Sequence, residues 1–140
     1  MNADQVQGVQ ANIDAVLGNV GKHSADFFIF WFKKSPEMMA KFPNYSGKAP
    51  DSLPSVGAFG PHSKAVVVDV MATFAIAHDA GALAQKGKEL VRDHVPRKVA
   101  SPEFTNLVAS LLPFLEQTLG GSYHKSGWTA ASTLVLAALK

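Results

Sequence analysis

Apolar residues recur at intervals of three and four along almost the whole chain, the period of helices with one buried face. Val6, Val9, Ile13, Val16, Leu17 and Val20 share one such face and predict a first helix, weakened at its end by Gly18 and Gly21. A second helix is predicted from Ser24, placed as its N-cap, to Lys34. Its run Phe27-Phe28-Ile29-Phe30-Trp31-Phe32 also suits a buried strand, since aromatic side chains favour strands. The chain offers few partner strands, so helix is the reading adopted.

Two helix starts share one signature. Ser35-Pro36-Glu37 and Ser101-Pro102-Glu103 each place Ser at the cap, Pro at the first helical position and Glu in the first turn. The first predicts a short turn of helix to Lys41. The second predicts a long helix whose inner face carries Phe104, Leu107, Val108, Leu111, Leu112, Leu115 and Leu119, kinked at Pro113 and ended by Gly120-Gly121. Residues 42–59, with Pro43, Pro50 and Pro54, form the least regular stretch. After Gly60-Pro61 a helix carries Val66, Val70, Met71 and Phe74. Another runs from about Leu83 to His94, where Pro96 disfavours the helical conformation for Val95. A last helix turns Trp128, Ala131, Leu134, Val135 and Ala138 inward. The expectation is an all-α chain of about seven or eight helices with no sheet, residues 1–140 forming a single domain.

Composition narrows the function. Thirteen basic against eleven acidic residues leave a net charge of +2, scattered along the chain, which gives no footprint for nucleic acid. With no cysteine, disulfides, thiolate metal sites and covalent haem attachment through Cys-x-x-Cys-His are excluded. The N-terminus MNADQVQGVQ lacks the basic and apolar regions of a secretory signal. The apolar stretch 65–77 is broken by Asp69 and is too short to span a bilayer. A cytoplasmic protein without a membrane segment is expected.

No phosphate loop, Ser-His-Asp order or HExxH motif is present. Of the five histidines, His62 and His94 lie where helices have apolar faces: Val66 follows His62 by one turn, and Leu90 precedes His94 by one turn. His23, His78 and His124 lie near helix ends and read as solvated. A single histidine in such a place is more often an ordinary core residue than a ligand.

The order of Pro36, Phe42, His62, Val66, Leu90, His94, Phe104 and Trp128, and above all the stretches PEMMAKF, FGPHSKAV and ELVRDH, resembles the globin family over nearly the whole chain. KFPNYSGKA is similar to annelid-type and dehaloperoxidase-like globins. The resemblance implies a globin fold around a haem b, iron protoporphyrin IX. It makes His94 the proximal iron ligand, its other ring nitrogen donating to a carbonyl near Leu90. It makes His62 the distal, oxygen-side residue and Phe42 the ring stacked on the porphyrin. Phe28 and Val66 become walls of the oxygen pocket, and Leu90, Val99 and Phe104 line the proximal side and the haem edge. In any helical protein these apolar residues would be plain core, as Trp31, Met38, Met39 and Trp128 are read here.

Arg97 and Lys98 suit either the haem propionates or a solvated face. Pro61 is expected to delay or bend the helix and to loosen His62. Asp93 suits either the proximal imidazole or water, with water preferred. The resemblance implies reversible binding of oxygen, for storage or transport, with oxygen and other small diatomic molecules as partners. Two alternatives stay open: a peroxidase or dehaloperoxidase with His62 as general acid–base, and a six-coordinate sensor or electron-transfer globin in which His62 ligates iron. Assembly into a homo-oligomer also stays open.

Overall fold

A computed structural model describes residues 1–140. Six α-helices form: α1 (Ala3–Leu17), α2 (Val20–Lys34), α3 (Phe59–Ala75), α4 (Ala80–His94), α5 (Ser101–Leu119) and α6 (Lys125–Ala138). Four short 3₁₀ helices, Pro36–Lys41, Pro50–Ser55, Val95–Arg97 and Gly120–Ser122, sit between or after them, and there is no strand. The all-α architecture read from the apolar spacing is the one that forms.

The aromatic run of α2 shows why helix prevails over strand. Ser24, Phe27, Phe28, Trp31 and Phe32 are buried, spaced three and four apart, whereas Ile29 and Phe30 are only half-buried. A strand would have buried alternate residues. Phe27 stacks on Trp31 and meets Phe114 of α5 edge-on, while Phe28 packs against Phe59 of α3. α2 therefore makes its broadest contact with α3 and a second with α5. α1 lies on α6 and α3, and α4 lies on α6.

Several boundaries differ from expectation, each for a local reason. Ser24 is no cap. The first and second helices are separated only by Gly18 and Asn19, so Val20 already opens α2, and the fully buried Ser24 Oγ has no partner. Ser35 makes no capping bond, and Ser101 lies inside α5, whose cap position is Ala100. The prolines alone account for the two shared signatures, since both fall in first turns where an N–H has no helical acceptor. The true side-chain caps are elsewhere. Asn2 and Gln5 form a reciprocal capping box at α1, and Asp79 accepts from the Ala82 N–H at 3.0 Å at α4. α5 runs on through Pro113, which is exposed. Val95 keeps helical angles (φ −53°, ψ −47°) despite Pro96. The chain tightens there into a 3₁₀ turn closed by Lys98 N–H to Val95 O at 3.0 Å, and Lys98 at φ +57° ends it. In α6 the buried face is Trp128, Ala131, Ser132 and Val135, continued by Leu139 just past its end, which leaves Leu134 about a third of a turn away and exposed.

One buried polar centre ties the two ends together. Asn12 of α1 donates to Ser122 O at 2.8 Å and accepts from the His124 amide at 2.8 Å and the Trp128 indole N–H at 2.9 Å. His124 is not a solvated residue. Its Nδ1 accepts from the Gly127 N–H as the α6 cap, and its Nε2 lies 3.0 Å from Asp4.

Candidate functional site

A cavity of about 570 Å³ opens between the Phe42–Tyr45 segment, the start of α3, the end of α4 with its 3₁₀ turn, and the start of α5. That size is usual for a cofactor site, which spans about 300–1,000 Å³. Of the residues singled out in the sequence, Phe42, His62, Val66, His94, Val99 and Phe104 line it. Phe28 and Leu90 do not. Phe28 is fully buried behind Phe42 and His62, its ring centroid 5.8 Å from Phe42 and 6.0 Å from His62. Leu90 contributes through its backbone.

His94 is the last residue of α4. Its Nδ1 lies 2.7 Å from the carbonyl oxygen of Leu90, one turn back. A carbonyl only accepts, so Nδ1 carries the proton and the lone pair belongs to Nε2. Phe104 of α5 meets the imidazole edge-on at 5.2 Å. Asp93 points away, 61% exposed and paired with Arg92.

His62 lies in the first turn of α3, and its backbone N–H donates to Ala58 O at 3.1 Å. Pro61, at the third helical position, removes only an N–H that a first turn leaves without a helical partner. The expected loosening of His62 is therefore absent from the backbone. Its Nδ1 is 2.8 Å from the Tyr45 hydroxyl. Burial holds His62 below the usual histidine pKa, and the Arg97 charge adds to this, so the ring is neutral at physiological pH. Burial raises the Tyr45 phenol, which stays protonated.

Tyr45 is not among the residues the sequence singles out. The available signal was its place one turn after Phe42, against which its ring stacks at 5.9 Å. Trp31 and Met38, read as plain core, also reach the cavity wall. The mouth carries Lys41, Arg97, Lys98 and Glu103. Lys41 Nζ donates to Lys98 O at 3.0 Å and lies 3.7 Å from Glu103, fastening the Pro36–Lys41 helix to the turn after α4.

These residues fit a haem. No three His, Asp or Glu side chains cluster to hold a metal by themselves. One imidazole with its lone pair directed by a second hydrogen bond is a single ligand, and a metal held by it needs a group that brings the other ligands. The walls supplied by Phe42, Val66, Val99 and Phe104 suit an apolar ring, and the cations at the mouth suit its acidic groups.

Comparison with known proteins agrees. A family model described as Globin matches residues 25–139. Globin CTT-VI of Chironomus thummi thummi is 31% identical over 113 residues, covering 78% of this chain and 70% of that protein. Globin CTT-IX of the same organism is 30% identical over 117 residues, covering 81% and 73%. A structure of azide-bound ferric Aplysia limacina myoglobin superposes with a TM-score of 0.86 at 19% identity, covering 99% of this chain and 96% of that one, a likeness of fold. No helix is long and apolar enough to cross a membrane. The apolar spacing, the cavity with its two histidines and the family match lead to one conclusion: the chain belongs to the globin family.

Proposed function

We propose that this protein holds iron protoporphyrin IX through His94 and binds dioxygen reversibly, for storage or transport. The observation that carries the reading is the hydrogen bond from His94 Nδ1 to Leu90 O, which leaves Nε2 as a directed lone pair on an apolar cavity that His62 also lines. When bound, that group would supply a metal able to take up a small ligand. The chain's own residues do the rest. The Leu90 carbonyl fixes the tautomer and orientation of the proximal ring and raises its basicity. Phe42 would pack against the macrocycle, and Val66 would limit water entry. Arg97 and Lys98, at the mouth of the cavity, would pair with the macrocycle's acidic groups. Neutral His62 donates a hydrogen bond to a polar diatomic ligand, which favours dioxygen over carbon monoxide.

Absorption spectra of the ferric, ferrous and carbonmonoxy forms test this. A five-coordinate ferrous spectrum that converts in air to a stable new form and reverts under vacuum supports it. A ferrous protein that oxidises at once in air, or whose iron is already six-coordinate, overturns it. A peroxidase reading ranks second. General acid–base work on peroxide needs a bare ring nitrogen on His62, but Nδ1 is engaged by Tyr45 and the backbone N–H by Ala58, which opposes the swing such a cycle needs.

A further inference from the structure

We infer that Tyr45 is a positioning residue for the distal side: its hydroxyl donates to His62 Nδ1 and thereby holds the proton on Nε2, the nitrogen left free of protein partners. The inference rests on the oxygen-binding reading and adds to it the residue that sets the distal tautomer.

The Tyr45–His62 contact of 2.8 Å can be made in two ways. In one, the phenol donates and His62 keeps its proton on Nε2. In the other, His62 donates from Nδ1, Nε2 is bare, and the phenol proton must find another acceptor. Tyr45 is 2% exposed and its ring lies among Phe32, Phe42 and Phe59, none of which offers an oxygen or nitrogen acceptor. His62 is the hydroxyl's only hydrogen-bond partner. An unused oxygen lone pair is tolerated in such surroundings far better than an unpaired O–H. The first arrangement therefore prevails. Its result is a donor, not an acceptor, on the nitrogen that has no partner in the protein.

The same bond restrains the ring. Three contacts surround the His62 imidazole: Phe28 edge-on at 6.0 Å, Phe42 at 5.7 Å and Tyr45 at 5.7 Å, all between ring centroids. Only the Tyr45 hydroxyl is directional. Without it the ring can turn about its χ2 axis and exchange tautomers.

The test is Tyr45→Phe, which keeps the aromatic packing and removes one oxygen. The tautomer is read by long-range proton–nitrogen correlation on His62 in the diamagnetic carbonmonoxy protein. The parent should show the proton on Nε2, and Tyr45→Phe a mixture of both tautomers. Dioxygen dissociation should quicken about 3- to 10-fold in Tyr45→Phe, with carbon monoxide dissociation little changed. Added to His62→Leu, Tyr45→Phe should change neither rate, because its effect passes through the imidazole. A parent with the proton on Nδ1, an unchanged tautomer in Tyr45→Phe, or equal effects of Tyr45→Phe with and without His62 would each overturn the inference. A parent that takes up haem but holds no dioxygen overturns the functional reading instead, and the tautomer measurement still stands.

Discussion

A Cβ placed on Gly87 of α4 would overlap the carbonyl oxygen of Ala138 in α6, so the two helices meet there backbone to backbone. The partner is a main-chain atom and cannot swing aside. Gly87→Ala must push α4 outward, and α4 carries His94 two turns further on. The expected cost is about 1–3 kcal/mol of stability, measured by urea unfolding, together with faster haem loss to an acceptor protein. Gly81→Ala is the control. Its Cβ would meet nothing closer than Asp79 Oδ1 at 3.7 Å, and it should be neutral or stabilise by up to about 1 kcal/mol. Equal destabilisation by both substitutions would show that helix propensity, not the α4–α6 contact, is being measured.

His94→Gly removes the only imidazole whose lone pair is directed by a carbonyl behind it. The variant should lose haem on gel filtration, and added imidazole should restore retention by filling the space the side chain leaves. A ferrous spectrum unchanged from the parent without imidazole would refute the role given to His94.

Asn12 satisfies three groups from the end of the chain, among them the fully buried Trp128 indole N–H. Asn12→Ala leaves that N–H and the His124 amide without an acceptor. The expected loss is about 2–4 kcal/mol, seen as a lower urea midpoint. A loss below about 0.5 kcal/mol would mean that water replaces the amide.

His62 protonates less readily in the folded chain than in the unfolded one, because burial and then Arg97 disfavour its charge. The unfolded state therefore binds more protons as the pH falls through the ordinary histidine value near 6.5, and stability falls with it. The contribution is fully present above that value and is lost below it. His62→Leu should flatten the stability profile on the acid side of about pH 6.5. Parallel parent and variant profiles across that range would contradict the effect of burial.

What was legible in the sequence follows largely from what is local. The run Phe27 to Phe32 is ambiguous by itself, six apolar residues that suit a buried strand or a helix, and it is the lack of partner strands along the chain that favours the helix. Pro36, Pro61 and Pro96 mark chain positions through their missing N–H, so the ends of elements near them were placed within a few residues. Phe42, His62, Val66, His94, Val99 and Phe104 share one cavity; spacing accounts for Val66 lying one turn from His62, while Phe42 and Val99 lie outside any helix and are singled out by the family resemblance alone. What was not legible depends on partners distant in the chain. Leu134 has the apolarity of a core residue, and only the placement of α6 against α1, α4 and α5 turns it outward. Asn12 carries no signal in the sequence and His124 reads as solvated, and their roles arise only when the chain ends meet, 112 positions apart. Tyr45 lies in an irregular stretch with no period to read, and its hydroxyl gains meaning only when α3 brings His62 to it.

Pro61 separates a backbone explanation of the distal side from a side-chain one. From sequence alone, a proline directly before His62 suggests a loosened helix and a mobile imidazole. In the fold, Pro61 is exposed at the third position of α3, and the His62 N–H already donates to Ala58 at 3.1 Å. The proline ring fixes φ at a helical value in a turn that has no partner for its missing N–H, so it favours the helix start. Pro61→Ala should therefore change stability by no more than about 1 kcal/mol and leave dioxygen dissociation within about twofold of the parent. Tyr45→Phe, which leaves the backbone untouched, should have the larger kinetic effect. Stopped-flow dissociation rates of the two variants, measured side by side, decide between them. If Pro61→Ala slows dissociation tenfold while Tyr45→Phe does nothing, the imidazole is held by its backbone and not by the phenol.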